Sequence, residues 1–377
     1  MVRIDTVNSA ISRRPDAELE LSLHLEEQAS EMGCKTVRLP VSGAGFNLLV
    51  SHIVSTNAPW VMFESHLDTV SVDGMTVPPF DGVIGDGRMY GRGTCDTKGS
   101  GAAMLWSLKR YMEEELSTNN VAILFTLDEE VNKTGVRTFV DRQLPDLGWL
   151  PRGVVVGEPT KLKLVGAHNG VVRWRIVTQG IAAHSSDPYK GRSAISMMTK
   201  VIETIEREYV PSVKMMHPLT GKAQCSINIV RGGVQINIIP EHCEIHVDRR
   251  VVPGESTEDV LPAVERVLDR LSEEDPDMVV TQERPDMVDW PLDPAVGRGF
   301  AQVVAGALGR LGLPNEVNGV GYGTDASTFG KAGIPAVVLG PGDIAQGHTA
   351  DEWIDLGELA RGIEVYYEIM CSEMGNY

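Results

Sequence analysis

The sequence predicts an α/β fold, a mostly parallel sheet with a second unit of order βαββαβ set into it. Three observations predict this. Four short runs, Trp60 to Glu64, Val121 to Leu127, Val154 to Val156 and Ala336 to Leu339, are nearly continuous in apolar residues, as strands buried on both faces are. Helical stretches such as Gly99 to Glu115 and Thr134 to Arg142 lie between them, the alternation that builds a parallel sheet. A length of 377 residues exceeds one small core and suits two.

The pattern changes in the middle of the chain. A strand over Val171 to Thr178 leads to a helix over Ser193 to Glu208, then strands over Gln224 to Arg231 and Glu241 to Arg250. A helix over Thr257 to Glu273 opens at Ser256 and Asp259 in the manner of a capping box, and a strand over Asp277 to Gln282 follows. This is the ferredoxin-like order. The expected domains are therefore 1–171 with 287–377, and an inserted 172–286.

Composition excludes several classes. The 52 acidic against 34 basic residues give a formal charge of −18, which repels phosphate backbones and anionic membrane surfaces, so no nucleic-acid or membrane partner is expected. The five cysteines are scattered with no CxxC pair, which reads as free thiols in a reducing cytoplasm. No apolar stretch nears the ~18 residues a membrane-spanning helix needs, and no apolar run follows the charges at the start. Gly85-Asp86-Gly87 lacks the third glycine of a dinucleotide loop, and Asp96-Thr97-Lys98-Gly99 lacks the glycine a phosphate loop places before lysine. No GxSxG elbow stands near His184-Ser185-Ser186.

Metal-ligating side chains instead follow the strands. His66 and Asp68 come after the first run, Asp96 lies in the segment Gly91 to Gly99, Glu129 and Glu130 follow the second run, Glu158 follows the third and His348 the fourth. Ligand sites in open α/β sheets lie beyond the carboxyl ends of strands, so these groups are expected at one sheet edge. Two imidazoles and three carboxylates without thiolate suit two divalent ions with one carboxylate shared. Zinc is the leading choice, with cobalt or manganese as alternatives. One carboxylate of the pair Glu129-Glu130 can then bind metal while the other acts as general base.

These segments resemble the metallohydrolase family of acetylornithine deacetylase, succinyl-diaminopimelate desuccinylase, aminoacylase and glutamate carboxypeptidase. The marks are Ser65-His66-Leu67-Asp68-Thr69, Gly91 to Gly99, Asp128-Glu129-Glu130, Gly157-Glu158-Pro159-Thr160 and the late His348, spread over almost the whole chain. The resemblance implies that His66 and Glu158 hold one ion, Glu130 and His348 the other, and that Asp96 bridges them. It implies that Asp68 orients His66, that Glu129 is the base, and that the Asp96–Thr97 peptide bond is cis. In the inserted domain it implies a lid and dimerisation role, with His184 stabilising the oxyanion in a partner subunit's site of a homodimer. It makes Asn237, Arg250 and Thr324 substrate contacts, with Arg250 matched to a carboxylate by its planar fork.

His184 to Pro188 and Leu339 to Gly342 look closest to acetylornithine deacetylases, which implies release of acetate and an amino acid. The desuccinylase reaction, or broader hydrolysis of N-acyl amino acids and dipeptides in a carboxypeptidase-like way, is the alternative. A non-catalytic relative would have lost a ligand or Glu129, and all are present. Thr97 stands where the family commonly has methionine and Ser71 where it has proline, and the family's first helix is expected to be shortened.

Overall fold

All four apolar runs form strands: Trp60–His66, Asn120–Thr126, Pro151–Val156 and Ala336–Val338. They pair in parallel, in the spatial order Asn120–Thr126, Trp60–His66, Pro151–Val156, Ala336–Val338. Every residue of Asn120–Thr126 is buried, as a strand covered on both faces requires. The sheet has eight strands, and antiparallel ones flank the parallel centre. Lys35–Val41 and Gly45–His52 form a hairpin that joins Asn120–Thr126 antiparallel, and Val165–His168 joins Ala336–Val338 antiparallel.

The computed structural model describes residues 1–41, 43, 45–114 and 118–375. It divides into one unit of Met1–Ala167, Asp293–Gly319 and Thr324–Tyr377, and another of His168–Leu292 with Val320–Gly323. Each has its own apolar core. In the first, Phe63, Val121, Ile123 and Phe125 from the sheet, with Leu67 just past its strand, join Met104, Leu108 and Tyr111 of the helix Lys98–Glu113 and Tyr366 and Ile369 of the helix Leu356–Met370. Both Pro294–Arg310 and Leu356–Met370 start on an aspartate, Asp293 or Asp355, whose carboxylate accepts a first-turn amide.

The helix expected over Gly99 to Glu115 spans Lys98–Glu113, and Glu115 lies outside the described residues. The stretch Thr134 to Arg142 is not one α-helix. It is α over Thr134–Thr138 and a wider π turn over Phe139–Gln143. A small sheet of Val83–Gly85, Arg88–Tyr90 and Trp353–Asp355 pairs Trp353 with Tyr90, which sets Glu352 beside Gly91. The start of the chain holds a short helix, Ser9–Ser12, and then the 13-residue Leu19–Glu31.

The second unit is built in the order βαββαβ. Its strands Gln224–Gly232, His242–Val251, Gly170–Gln179 and Val280–Gln282 lie in that spatial order, all antiparallel. Helices Ala194–Thr204 and Val260–Glu274 cover the sheet through Met198, Val201, Val264 and Leu268, against Trp174, Ile176 and Ile245. Ser193 is a cap rather than a helical residue, its hydroxyl accepting the Ser196 amide, and Ser256 caps as expected, accepting the Glu258 amide. The first helix continues as a π turn, Ile205–Tyr209, and the second begins with a 3-10 turn, Thr257–Asp259. The last strand is shorter than Asp277 to Gln282, and the expected limits 172–286 are too narrow. Met287–Asp289 also pairs with Arg173 to Val171, carrying the unit to Leu292.

No helix among the described residues is long and apolar enough to cross a membrane.

Candidate metal centre

Five loops of the first unit bring their acidic and imidazole groups together. His66 ends its strand, Asp96 precedes the helix Lys98–Glu113, Glu129 and Glu130 follow Asn120–Thr126, Glu158 follows Pro151–Val156, and His348 comes after Ala336–Val338. Two groups of possible ligands result, His66 with Asp96 and Glu158, and Asp96 with Glu130 and His348, the donor atoms of each lying within 4.8 Å of one another. Asp96 belongs to both. Its Oδ1 lies 3.1 Å from His66 Nε2 and its Oδ2 3.3 Å from His348 Nε2. The remaining separations are 3.8 Å from His66 Nε2 to Glu158 Oε1 and 3.1 Å from His348 Nε2 to Glu130 Oε1. Donors held ~2.0–2.2 Å from a tetrahedral ion stand roughly 3.3–3.6 Å apart, so both groups fit a divalent metal in spacing and in donor chemistry.

Electrostatics point the same way. Burial, and then the charge of Asp96, pushes Glu158 well above the carboxylate range and Glu130 up to about 7. Burial also lifts Glu64 to about 7 and Asp325 well above its ordinary range. Hydrogen bonding to Asp96 and then Glu130 raises His348 to about 10. The site thus gathers more negative charge than its own cations neutralise, the deficit that bound cations would fill.

Asp68 organises the centre from beneath. Fully buried, it accepts the amides of Glu129 at 3.0 Å and Glu130 at 3.1 Å, and the Asn8 side-chain amide at 2.7 Å. Its Oδ1 stands 3.4 Å from His66 Nδ1, whose nearer partner is the Asp68 carbonyl at 3.0 Å. Burial opposes its ionisation, but the bonds from His66, Asn8 and the Glu129 amide outweigh that and hold Asp68 below its ordinary range. The Asp96–Thr97 peptide bond is cis.

The sequence reading missed a second support. Buried Glu352 receives the amides of Cys95 at 3.0 Å and Asp96 at 3.2 Å on Oε1, and Arg92 Nη1 at 2.7 Å on Oε2. It also missed Lys133, whose Nζ is 3.2 Å from Glu129 Oε1. The signal available for Glu64 was its place as the one acid in the strand Trp60–His66.

The candidates outside the cluster stand differently. Thr324 is buried, and its hydroxyl accepts the Ala326 amide at the start of the helix Ala326–Lys331, a capping role. In the second unit His184 is exposed on a two-residue strand paired with Ile238–Ile239. Its Nδ1 accepts the Ser186 amide at 3.2 Å, so a neutral ring carries its proton on Nε2 as a donor. Asn237 is exposed, and its carbonyl accepts the Ser185 amide. Arg250 donates to both oxygens of Asp248, at 2.7 and 3.3 Å, so its fork is occupied within its own strand.

Comparison with known proteins agrees with this architecture. The chain is 28% identical over 350 residues to a probable carboxypeptidase of Aspergillus flavus, covering 87% of this chain and 78% of that one. A probable carboxypeptidase of Aspergillus oryzae is 29% identical over 343 residues with the same coverage. Among solved structures, an M20 family metallo-carboxypeptidase from Sulfolobus solfataricus superposes with a TM-score of 0.82 at 16% identity, covering 98% of this chain and 96% of that one. Aminopeptidase PepT from Bacillus cereus gives 0.78 at 23% identity, covering 98% and 95%. These two structures are alike in fold. The family model described as Peptidase family M20/M25/M40 matches residues 62–372, and with that match the chain belongs to this family and is a hydrolase acting on peptide or amide bonds.

Proposed function

We propose that this chain is a two-metal hydrolase that cleaves the amide bond on the amino nitrogen of a small carboxylate-bearing substrate, an N-acyl amino acid or a short peptide. The observation that carries the proposal is Asp96, whose two oxygens face His66 and His348 separately, each within hydrogen-bond range of an imidazole nitrogen. His66 and Glu158 would hold one ion, Glu130 and His348 the second, with Asp96 between them. When bound, two divalent ions, zinc first, supply Lewis acidity that polarises the carbonyl and lowers the pKa of a water toward about 7.

The rest falls to the chain's own groups. Glu129 takes the proton of the attacking water and returns it to the leaving amine nitrogen, so the products are a carboxylic acid and an amine. Asp68 fixes the amides of Glu129 and Glu130, which sets both carboxylates at once. His184, with its proton on Nε2, is suited to donate to the oxyanion, and it does so in the site of a second copy within a homodimer. Arg250 takes the substrate carboxylate in exchange for Asp248, Asn237 assists, and Thr324 lines the substrate side.

The names of the carboxypeptidase relatives support the broad reading of substrate. Deacylation of N-acetylornithine in a cytoplasmic biosynthetic setting is the narrower reading, favoured by the segments His184 to Pro188 and Leu339 to Gly342. Amine release from N-acetyl and N-succinyl amino acids and from dipeptides, with added Zn or Co, separates the two. Turnover confined to N-acetylornithine selects the narrow one, and no turnover on any member overturns the proposal.

A further inference from the structure

Lys133 is nearly buried, with a side chain 5% exposed, in the same unit as the acidic cluster. Its backbone is left-handed, φ 56° and ψ 33°, and its N–H donates to the Asp128 carbonyl at 2.6 Å. The ammonium lies 3.2 Å from Glu129 Oε1 and 4.0 Å from Asp325 Oδ1. Asp325, 1% exposed, sits at the start of the helix Ala326–Lys331, and behind it Thr126 donates to Glu64 Oε1 at 2.6 Å. Thr126 Oγ1 is 3.4 Å from Asp325 Oδ2, but its single proton serves Glu64. Asp325 Oδ1 accepts no hydrogen bond, and Lys133 faces it as a cation at 4.0 Å.

A buried ammonium is costly unless paired, and this one is paired with Glu129 at 3.2 Å, with Asp325 further off at 4.0 Å. We infer that Lys133 is a positioning residue for Glu129: confined by burial, its ammonium holds Oε1 and leaves the other carboxylate oxygen free for the attacking water. The inference rests on the reading of Glu129 as the base. It adds the reason that a carboxylate among so many others stays in one orientation.

A purely structural Lys133 would only neutralise Asp325, and a charge-removal series distinguishes the two roles. Lys133→Met, Lys133→Arg and Lys133→Met/Asp325→Asn are compared with the unsubstituted chain in metal content, thermal midpoint, and kcat and KM on whichever N-acetyl amino acid or dipeptide is turned over. Lys133→Met should keep its metals and its KM while kcat falls about 10- to 100-fold, the size expected when a reacting group is misplaced by an ångström. Lys133→Arg should restore most of kcat. The double variant, in which position 325 is no longer an acid, should recover most of the midpoint but not kcat, and it carries the test if Lys133→Met fails to fold.

Recovery of kcat in the double variant, kcat within about threefold of normal in Lys133→Met, or loss of metals with Lys133 would each overturn the inference. A cycle on the midpoint of the metal-stripped chain needs no substrate. Lys133→Met should lower the midpoint less when Glu129→Gln is already present, and equal losses in both backgrounds would show that the two groups do not interact. Glu129→Gln alone tests the underlying reading. If it retains turnover, the base assignment fails, whereas a dead Glu129→Gln beside a normal Lys133→Met rejects the positioning role alone.

Discussion

Replacing Arg92 with methionine tests whether the loop carrying Asp96 is held by a buried ion pair. Arg92 and Glu352 are 3% and 0% exposed in their side chains and meet at 2.7 Å, and Arg92 Nε also donates to the Ser71 carbonyl at 3.1 Å. Without the guanidinium, Glu352 remains a buried carboxylate with only the Cys95 and Asp96 amides as donors. Breaking a buried pair from one side costs about 3–5 kcal/mol. For a unit of this size, each kcal/mol moves the thermal midpoint by about 2–4 °C, so a drop of roughly 6–20 °C is expected. Arg92→Met/Glu352→Gln removes the stranded charge while keeping an acceptor for the two amides, and should recover more than half of the loss. Calorimetry of the metal-stripped chains measures both. A drop under about 2 °C in Arg92→Met, or a double variant no better than the single, would refute the reasoning.

Asp68→Asn should weaken metal binding about 10- to 100-fold, because the amide cannot accept from Glu129 and Glu130 on both sides and orient His66 as well, and competition against a chelator reads the change. Unchanged affinity would remove Asp68 from the site's support. Glu18, 3% exposed, is lifted to about 7 by burial and then by Asp68. Between the ordinary value of 4.5 and about 7 the unfolded chain releases this proton while the folded chain keeps it, so the group's contribution to stability is present at low pH and is lost as pH rises to about 7. Glu18→Gln should therefore stabilise by about 3 kcal/mol at pH 8 and by under about 1 kcal/mol at pH 5, and equal effects at both would contradict the assignment. Refolding His184→Ala with Glu129→Gln, each nearly inactive alone, should restore about a quarter of the normal sites if the histidine serves a second copy. Mixed dimers without activity would place the histidine's action within its own chain.

The parallel centre and the five loops of the candidate site were legible because each is local. An apolar run followed by an acid or imidazole records a strand and what lies beyond its end, and Trp60 to His66 carries both in seven residues. What joins these loops was not legible. Arg92 and Glu352 are 260 positions apart, and Lys133 meets Asp325 only through the tertiary fold. Nothing in their neighbourhoods marks them as pairs, since an arginine or lysine beside a turn is ordinarily solvated. The hairpin Lys35–Val41 with Gly45–His52 carries its signal as the alternation Val37, Leu39 and Val41, not as a continuous apolar run. The inserted unit was read too short because Met287–Asp289 is a three-residue strand whose pairing with Gly170–Gln179 is not local. The π turns at Phe139–Gln143 and Ile205–Tyr209 keep the helical apolar period, so their sequences read as plain helix.

The central claim is that the chain needs two divalent ions, which His66, Asp96, Glu130, Glu158 and His348 would hold, for Glu129 to act as the base in amide hydrolysis. Stripping the chain with a chelator and titrating Zn back while following amine release tests it most directly. Turnover should be absent without metal and saturate at two ions per chain, and Glu129→Gln should bind the same two while losing about 10²- to 10⁴-fold in kcat. Turnover in the stripped chain, or both ions lost with Glu129, would contradict it.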